Sequence, residues 1–270
     1  MMKVLSFFLL ASITSVALSS VDAKKIQLLR DPNGKNIKLN NKDTVHLDRF
    51  HQMFKMDART PGLQAMLKRN AFKHKQKAVP ILIKVMKESK YPVQNRWHAT
   101  MFLAQIMGSK SAPFIAKFTD HPHWMMRVAS LKALLGLKQK DYMNVYSKSL
   151  TDPSLIVRVQ ALDNISQMKL DKLAPNVWSM MYDQSNYTGQ KGARKRTSIV
   201  KSIIRTVGDL KYTQAKKPLA KLIQKPKYQD LIEELDYSLE KITGEVSPNS
   251  VEQRRKFWQK MALNTTSRKM

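Results

Sequence analysis

The chain has 270 residues, 43% of them apolar, which is enough for one or two domains with a real hydrophobic core. Its 48 Lys and Arg against 20 Asp and Glu leave a formal net charge of +28, an imbalance that attracts polyanions and acidic partners. The absence of cysteine excludes disulfides, thiolate nucleophiles and Cys-ligated zinc or iron–sulfur clusters, while 16 Met and only 8 Gly lean towards helices packed on helices.

Residues 1–23 read as an export signal. Lys3 precedes the apolar stretch Val4 to Leu10, and Val21-Asp22-Ala23 places small residues where a signal peptidase cuts, so cleavage is expected near Ala23. That stretch is shorter than the roughly 20 residues a membrane span needs, and no later segment is long and uncharged enough. The expected product is exported, periplasmic or secreted, with no membrane span and no lipid-modified cysteine. Residues 24–60 read as an extension. The turn signal Asp31-Pro32-Asn33-Gly34, between Ile26 to Leu29 and Ile37 to Leu39, fits a short hairpin or an extended arm, and Thr44 to Met56 fits a capping helix.

Residues 61–245 carry an internal repeat. Arg96, Ala99 and Leu103 are followed by Arg127, Ser130 and Leu134, then by Arg158, Ala161 and Ile165, at intervals of 31 residues. Within each set the spacing puts all three side chains along one side of a helix. Pro113 and Pro175, 62 residues apart, each follow an Ala and open the partner helix; Val79-Pro80 and Lys217-Pro218 extend the series. A proline in the first turn sacrifices no intrahelical bond. Between the two helices, Thr119-Asp120-His121-Pro122, Thr151-Asp152-Pro153 and Asp183 mark tight turns whose acid can cap the next helix. The expected unit is a first helix of about a dozen residues, an Asp turn, and a second helix of about fifteen, stacked because neither buries its apolar face alone. The expected fold class is all-α: an α-α superhelix of about five helix pairs with an N-terminal extension, closed by a C-terminal helix and tail over residues 246–270.

This pattern rests on Asp120 and Asp152 in the turns, on Arg96, Arg127 and Arg158 opening the second helices, and on the small and aliphatic residues after them. It resembles the HEAT repeat family, in particular the short bacterial units also found in phycobilisome lyases, and the resemblance covers Pro61 to Gly244. The resemblance implies a right-handed superhelical stack with the second helices lining the concave face. Leu239 to Gly244, followed by Arg255 and Trp258, is similar to the closing segment of secreted members, with Met261 standing where a second Trp is often found.

The repeated arginines are expected to pair with the Asp of their own preceding turn, Asp120 with Arg127 and Asp152 with Arg158, as a structural ladder rather than a binding stripe. Free positive charge concentrates on the flanks, with 17 basic and 5 acidic residues in 24–95 and 12 and 3 in 183–230. The polar stretch Gln184 to Gly192 interrupts the repeat and leads into Arg194, Lys195, Arg196, Lys201 and Arg205. On a helix Arg194, Lys201 and Arg205 share one side, the best candidate for an anion-contacting surface. A second cluster, Lys68, Arg69, Lys73, His74, Lys75 and Lys77, precedes Pro80. Just off the core face of the second helices lie His98, Lys132 and Gln160, candidates for the binding face, together with Asp163. Trp97, Trp124 and Trp178 read as packing between repeats, and Glu233, Glu234 and Asp236 as an exposed acidic turn near a helix start.

No reaction centre emerges. His121-Pro122-His123 lacks a third ligand, and His46 and His51 are five residues apart rather than the four that align two ligands on a helix, so no metal or other cofactor is expected. There is no phosphate-binding glycine loop and no nucleophile elbow. The favoured reading is a non-enzymatic exported scaffold that binds an acidic protein or envelope component through its concave face and basic flanks. The alternative, a cationic nucleic-acid binder similar to HEAT-like DNA glycosylases, would need an acid on the concave side, and Asp163 is the one candidate. Chromophore attachment, as in bilin lyases, is implied by the resemblance alone, and the export signal speaks against it.

Overall fold

The computed structural model describes residues 41–57, 59–187 and 197–264. The expected export signal and the hairpin or arm that follows it lie outside the described residues. Among these residues the regular structure is entirely helical. In chain order the helices are α1 (Asn41–Met53), α2 (Pro61–His74), α3 (Val79–Lys87), α4 (Val93–Met107), α5 (Ala112–Ala116), α6 (Trp124–Gly136) and α7 (Met143–Ser149). They continue as α8 (Leu155–Met168), α9 (Ala174–Ser179), α10 (Thr197–Asp209), α11 (Lys216–Leu222), α12 (Ile232–Thr243) and α13 (Val251–Asn264).

Each odd-numbered helix from α1 to α11 packs on the even-numbered helix that follows it, and the even helices α2, α4, α6, α8, α10 and α12 each pack on the next in chain order. The chain is therefore an α-solenoid. The repeated small and aliphatic residues make that row: Ala99, Leu103, Ser130, Leu134, Ala161 and Ile165 are all buried. Small side chains let the second helices approach, and each buried Leu or Ile adds about 1.5–3 kcal/mol of hydrophobic stabilisation. The prolines of the series, Pro80, Pro113, Pro175 and Pro218, fall in the first turns of α3, α5, α9 and α11, and Pro61 opens α2 in the same way.

The first helices are shorter than expected. Ala112–Ala116 passes directly into a 3-10 turn at Lys117–Asp120, and Ala174–Ser179 into another at Met180–Tyr182. Hydroxyl groups at these ends bond back to the chain, Thr119 Oγ1 to Ala116 O at 2.7 Å and Ser179 Oγ to Asn176 O at 2.7 Å. Such local bonds satisfy carbonyls without further helical turns.

Every second helix leaves through a residue of positive φ: Lys75, Gly108, Lys138, Lys169, Lys211 and Gly244. Lys75 (φ 48°, ψ −124°) holds nearly the same conformation as Gly108 (φ 56°, ψ −146°), a region open to glycine and strained for a residue with a Cβ. Lys75→Gly is therefore expected to stabilise the fold by about 1 kcal/mol, the relieved strain exceeding the added freedom of the unfolded chain. A urea midpoint at or below that of the parent would contradict it.

Both ends of the stack are tied by buried polar groups. Asn95, fully buried at the start of α4, donates through Nδ2 to Phe54 O (2.7 Å) and Met56 O (2.5 Å), fixing the end of α1. At the other end Gly244 (φ 79°) stops α12 and α13 returns to bury Trp258. Of the acidic residues expected to be an exposed turn, Glu233 is exposed, whereas Glu234 is buried against Lys201 and Asp236 is buried in this latch. Asp236, 5% exposed, accepts from Trp258 Nε1 (2.6 Å), Ser247 Oγ (2.9 Å) and Arg254 Nε (3.1 Å), while Glu233 takes Arg254 at 2.7 Å. An acid near a helix start is ordinarily solvated; this one is covered by a helix that follows it in the chain.

Candidate functional site

The arginines of the repeat form a polar spine, but they reach forward rather than back. Arg127 forks onto Asp152, Nε to Oδ2 and Nη2 to Oδ1 at 2.7 Å each, and its Nη1 donates to His121 O and Pro122 O of its own turn at 2.9 Å. Arg158 donates to Asp152 O at 2.5 Å and to Ser185 Oγ and Asn186 Oδ1 at 2.7 Å, with Asp183 at 3.5 Å. Arg96 donates to Met86 O at 2.8 Å and meets His121 Nε2 at 2.8 Å. The expected pairing within one turn is thus corrected: Arg127 and Arg158 hold their own turns by backbone carbonyls and Arg96 holds the end of α3, while each meets the next unit's turn at a side chain 25 residues on. Asp120 stands outside this spine, in an exposed ion pair with Lys148.

The equivalent turn positions are His121, Asp152 and Asp183, spaced by 31. Each also accepts a backbone N–H two residues later, from His123, Ser154 and Ser185 at 2.8 to 2.9 Å. A carboxylate accepts on both oxygens; a neutral imidazole carries one N–H and one lone pair, so His121 faces a donor with a donor on one side whichever nitrogen is protonated. Burial, then the Arg96 charge, pushes its pKa below 6.5, so protonation brings no relief. His121→Asp is expected to stabilise the protein by about 1–2 kcal/mol.

That substitution also tests a pH dependence. His51, His74, His98 and His121 all have pKa values lowered from 6.5, in each case chiefly by burial. Below 6.5 the unfolded chain binds more protons than the folded one, so stability is fully present above 6.5 and falls as pH drops through the folded-state values. Urea midpoints measured from about pH 7 down to about pH 5 should decline for the parent and decline less for His121→Asp.

The residues expected on the binding surface divide. Lys132 is exposed, and His98 is half-buried with its ring stacked on Phe102 at 5.9 Å. Gln160 is corrected to an interior position: it is 7% exposed and its amide donates to Asn164 Oδ1 at 2.9 Å and Asp163 Oδ2 at 3.3 Å. It lies there because Asn164, itself donating to Leu131 O, draws it into the junction of α6 and α8. Arg194, Lys195 and Arg196 lie outside the described residues. Lys201 pairs with Glu234 at 3.3 Å, and the Arg205 guanidinium sits 4.3 Å over the Tyr237 ring, so both engage α12. Asp163 is exposed and accepts from Gln167 at 2.6 Å. Among the described residues no three His, Cys, Asp or Glu side chains come close enough to hold a metal ion, and no helix is long and apolar enough to cross a membrane.

Two clefts open between successive first helices. One, of about 360 Å³, lies between α3 and α5; Lys87 Nζ sits 5.7 Å over the Phe114 ring, and Asp120 and His121 line its far side. The other, of about 670 Å³, lies between α9 and α11 and was not anticipated from the sequence. Trp178, Tyr182 and Tyr187 face Lys221 and Lys225 across an apolar base of Met181 and Leu222. Trp178 meets Tyr182 edge-on (5.8 Å, 89°), and Tyr187 donates to Met181 Sδ at 3.6 Å, its phenol pushed up to about 12 by burial. The cleft borders the polar stretch that begins at Gln184, but Ser185 and Asn186 of that stretch belong to the spine. Asn186 is fully buried.

No family model matches the chain, and no curated protein does. Among solved structures, the complex of CpcE and CpcF of phycocyanin lyase from Nostoc sp. PCC7120 is similar with a TM-score of 0.40 and 12% identity, covering 86% of this chain and 97% of that one.

Proposed function

We propose that the protein is an exported, non-enzymatic scaffold of the HEAT-like kind that holds an acidic protein partner. The observation that carries this reading is the set of basic side chains left exposed once the acids of the interior have taken cation partners. Asp152, Glu234 and Asp236 are engaged with cations inside the stack, whereas Lys68, Arg69, Lys73, Lys132, Lys221 and Lys225 stand exposed. The buried acids and their cation partners cancel, so the basic excess of the chain is carried by exposed side chains such as these, and such a surface steers acidic partners while leaving final fit to shape. A row of stacked helix pairs presents that surface over a long span.

The test is affinity capture of the full chain from the exporting compartment at low and high salt. The reading expects one acidic protein recovered at low salt and released at high salt, with the mature chain starting at Lys24, directly after the expected cleavage at Ala23. Recovery of nucleic acid instead, with an affinity falling with salt at a slope set by several phosphates, would overturn it.

A further inference from the structure

We infer that the cleft between α9 and α11 reads the partner, and that its occupant is a short acidic segment bearing one bulky apolar side chain. The inference rests on the scaffold reading and adds the site and its chemistry. At about 670 Å³ the cleft has the size that takes a few side chains rather than a whole surface. Its base supplies a desolvated seat: Met181 is buried, Leu222 half-buried, and the thioether adapts to different apolar shapes. Lys221 and Lys225, four residues apart and both exposed, put two ammonium groups beside that seat, and no carboxylate is among the described residues that line it. Tyr182 leaves 67% of its surface in water, an aromatic exposure that a docked apolar group would cover.

The same geometry disfavours single-stranded nucleic acid. Binding of that kind uses successive aromatic faces along a basic groove. Here the aromatic residues converge on one cleft and Trp178 and Tyr182 stand perpendicular, so they do not offer parallel platforms to neighbouring bases.

The experiment uses the full chain and a fluorescein-labelled peptide of Asp and Glu residues around one central Phe, read by anisotropy. Saturable binding is expected, weakened about tenfold or more by Tyr182→Ala, by Lys221→Gln combined with Lys225→Gln, and by replacing the peptide's Phe with Ala. Because these three protein residues are exposed, unchanged urea midpoints should accompany the loss. Peptide binding that the cleft variants leave intact overturns this site while the scaffold reading stands. An oligothymidylate of equal charge that binds more tightly, and is weakened by the same variants, assigns the cleft to nucleic acid and overturns the peptide. Failure of the parent protein to bind the peptide overturns the inference, whereas the captured partner is judged separately.

Discussion

Asp152→Ala is expected to destabilise the protein by about 3–5 kcal/mol, the effect of leaving a desolvated arginine without its carboxylate. Arg127 and Asp152 keep only 11% and 9% of their side chains exposed, and the two parallel bonds of 2.7 Å make the pair bidentate. Asp152 Oδ1 also holds the turn through Ser154 N–H. Calorimetry should show a fall in Tm of roughly 2–4 °C for each kcal/mol lost, about 10 °C in all. The neighbouring Asp120→Ala serves as the contrast: the side chains of Lys148 and Asp120 are 71% and 61% exposed, so the loss of their ion pair should stay within about 1 kcal/mol. Equal effects at the two positions would show that the spine does not run forward from each unit to the next.

The second large effect is expected at Gly208. A Cβ there would lie 2.7 Å from the Cα of Ser238, a backbone atom on α12 that cannot swing aside as a flexible side chain can. Ser238 is itself held, its hydroxyl donating to Ile204 O at 2.6 Å. Gly208→Ala must therefore pry α10 from α12, and should cost about 1–3 kcal/mol or more despite the better helix propensity of alanine. Ser238→Ala leaves the backbone clash in place, so adding it should not rescue Gly208→Ala. A parent-like midpoint for the single variant would refute the close approach.

The deletion that the sequence invites, Gln184 to Gly192, would remove more than an inserted loop. Asn186 accepts from Arg158 and donates to Met180 O at 2.9 Å, so its removal would cut the spine. Partner contacts are better probed at Tyr182 and Lys221, which are exposed.

How much was legible in the chain depends on how local the cause is. Helix starts at Pro80, Pro113 and Pro175, and the buried faces Ala99 to Leu103, Ser130 to Leu134 and Ala161 to Ile165, follow from spacings of one or two helical turns. The polar spine was half legible. The 31-residue interval of His121, Asp152 and Asp183 was present, but reading for acid type rather than position selects Asp120 and misses His121. The positive-φ exits at Lys75, Lys138, Lys169 and Lys211 carry a residue type that does not announce a turn.

By itself, then, the amino-acid order determined an all-helical stack of two-helix units, because a recurring apolar stripe can be buried only by the next copy of itself. Which partner each arginine takes, the burial of Asp236 under α13, the interior place of Gln160 and the joining of Trp178 and Tyr182 to Lys221 and Lys225 were decided by tertiary structure. Apart from the Gln160–Asn164 bond within α8, itself anchored by Asn164 on Leu131 of α6, these contacts join different elements of the stack, and they depend on the offset and angle between neighbouring units, quantities that periodicity along one helix does not contain.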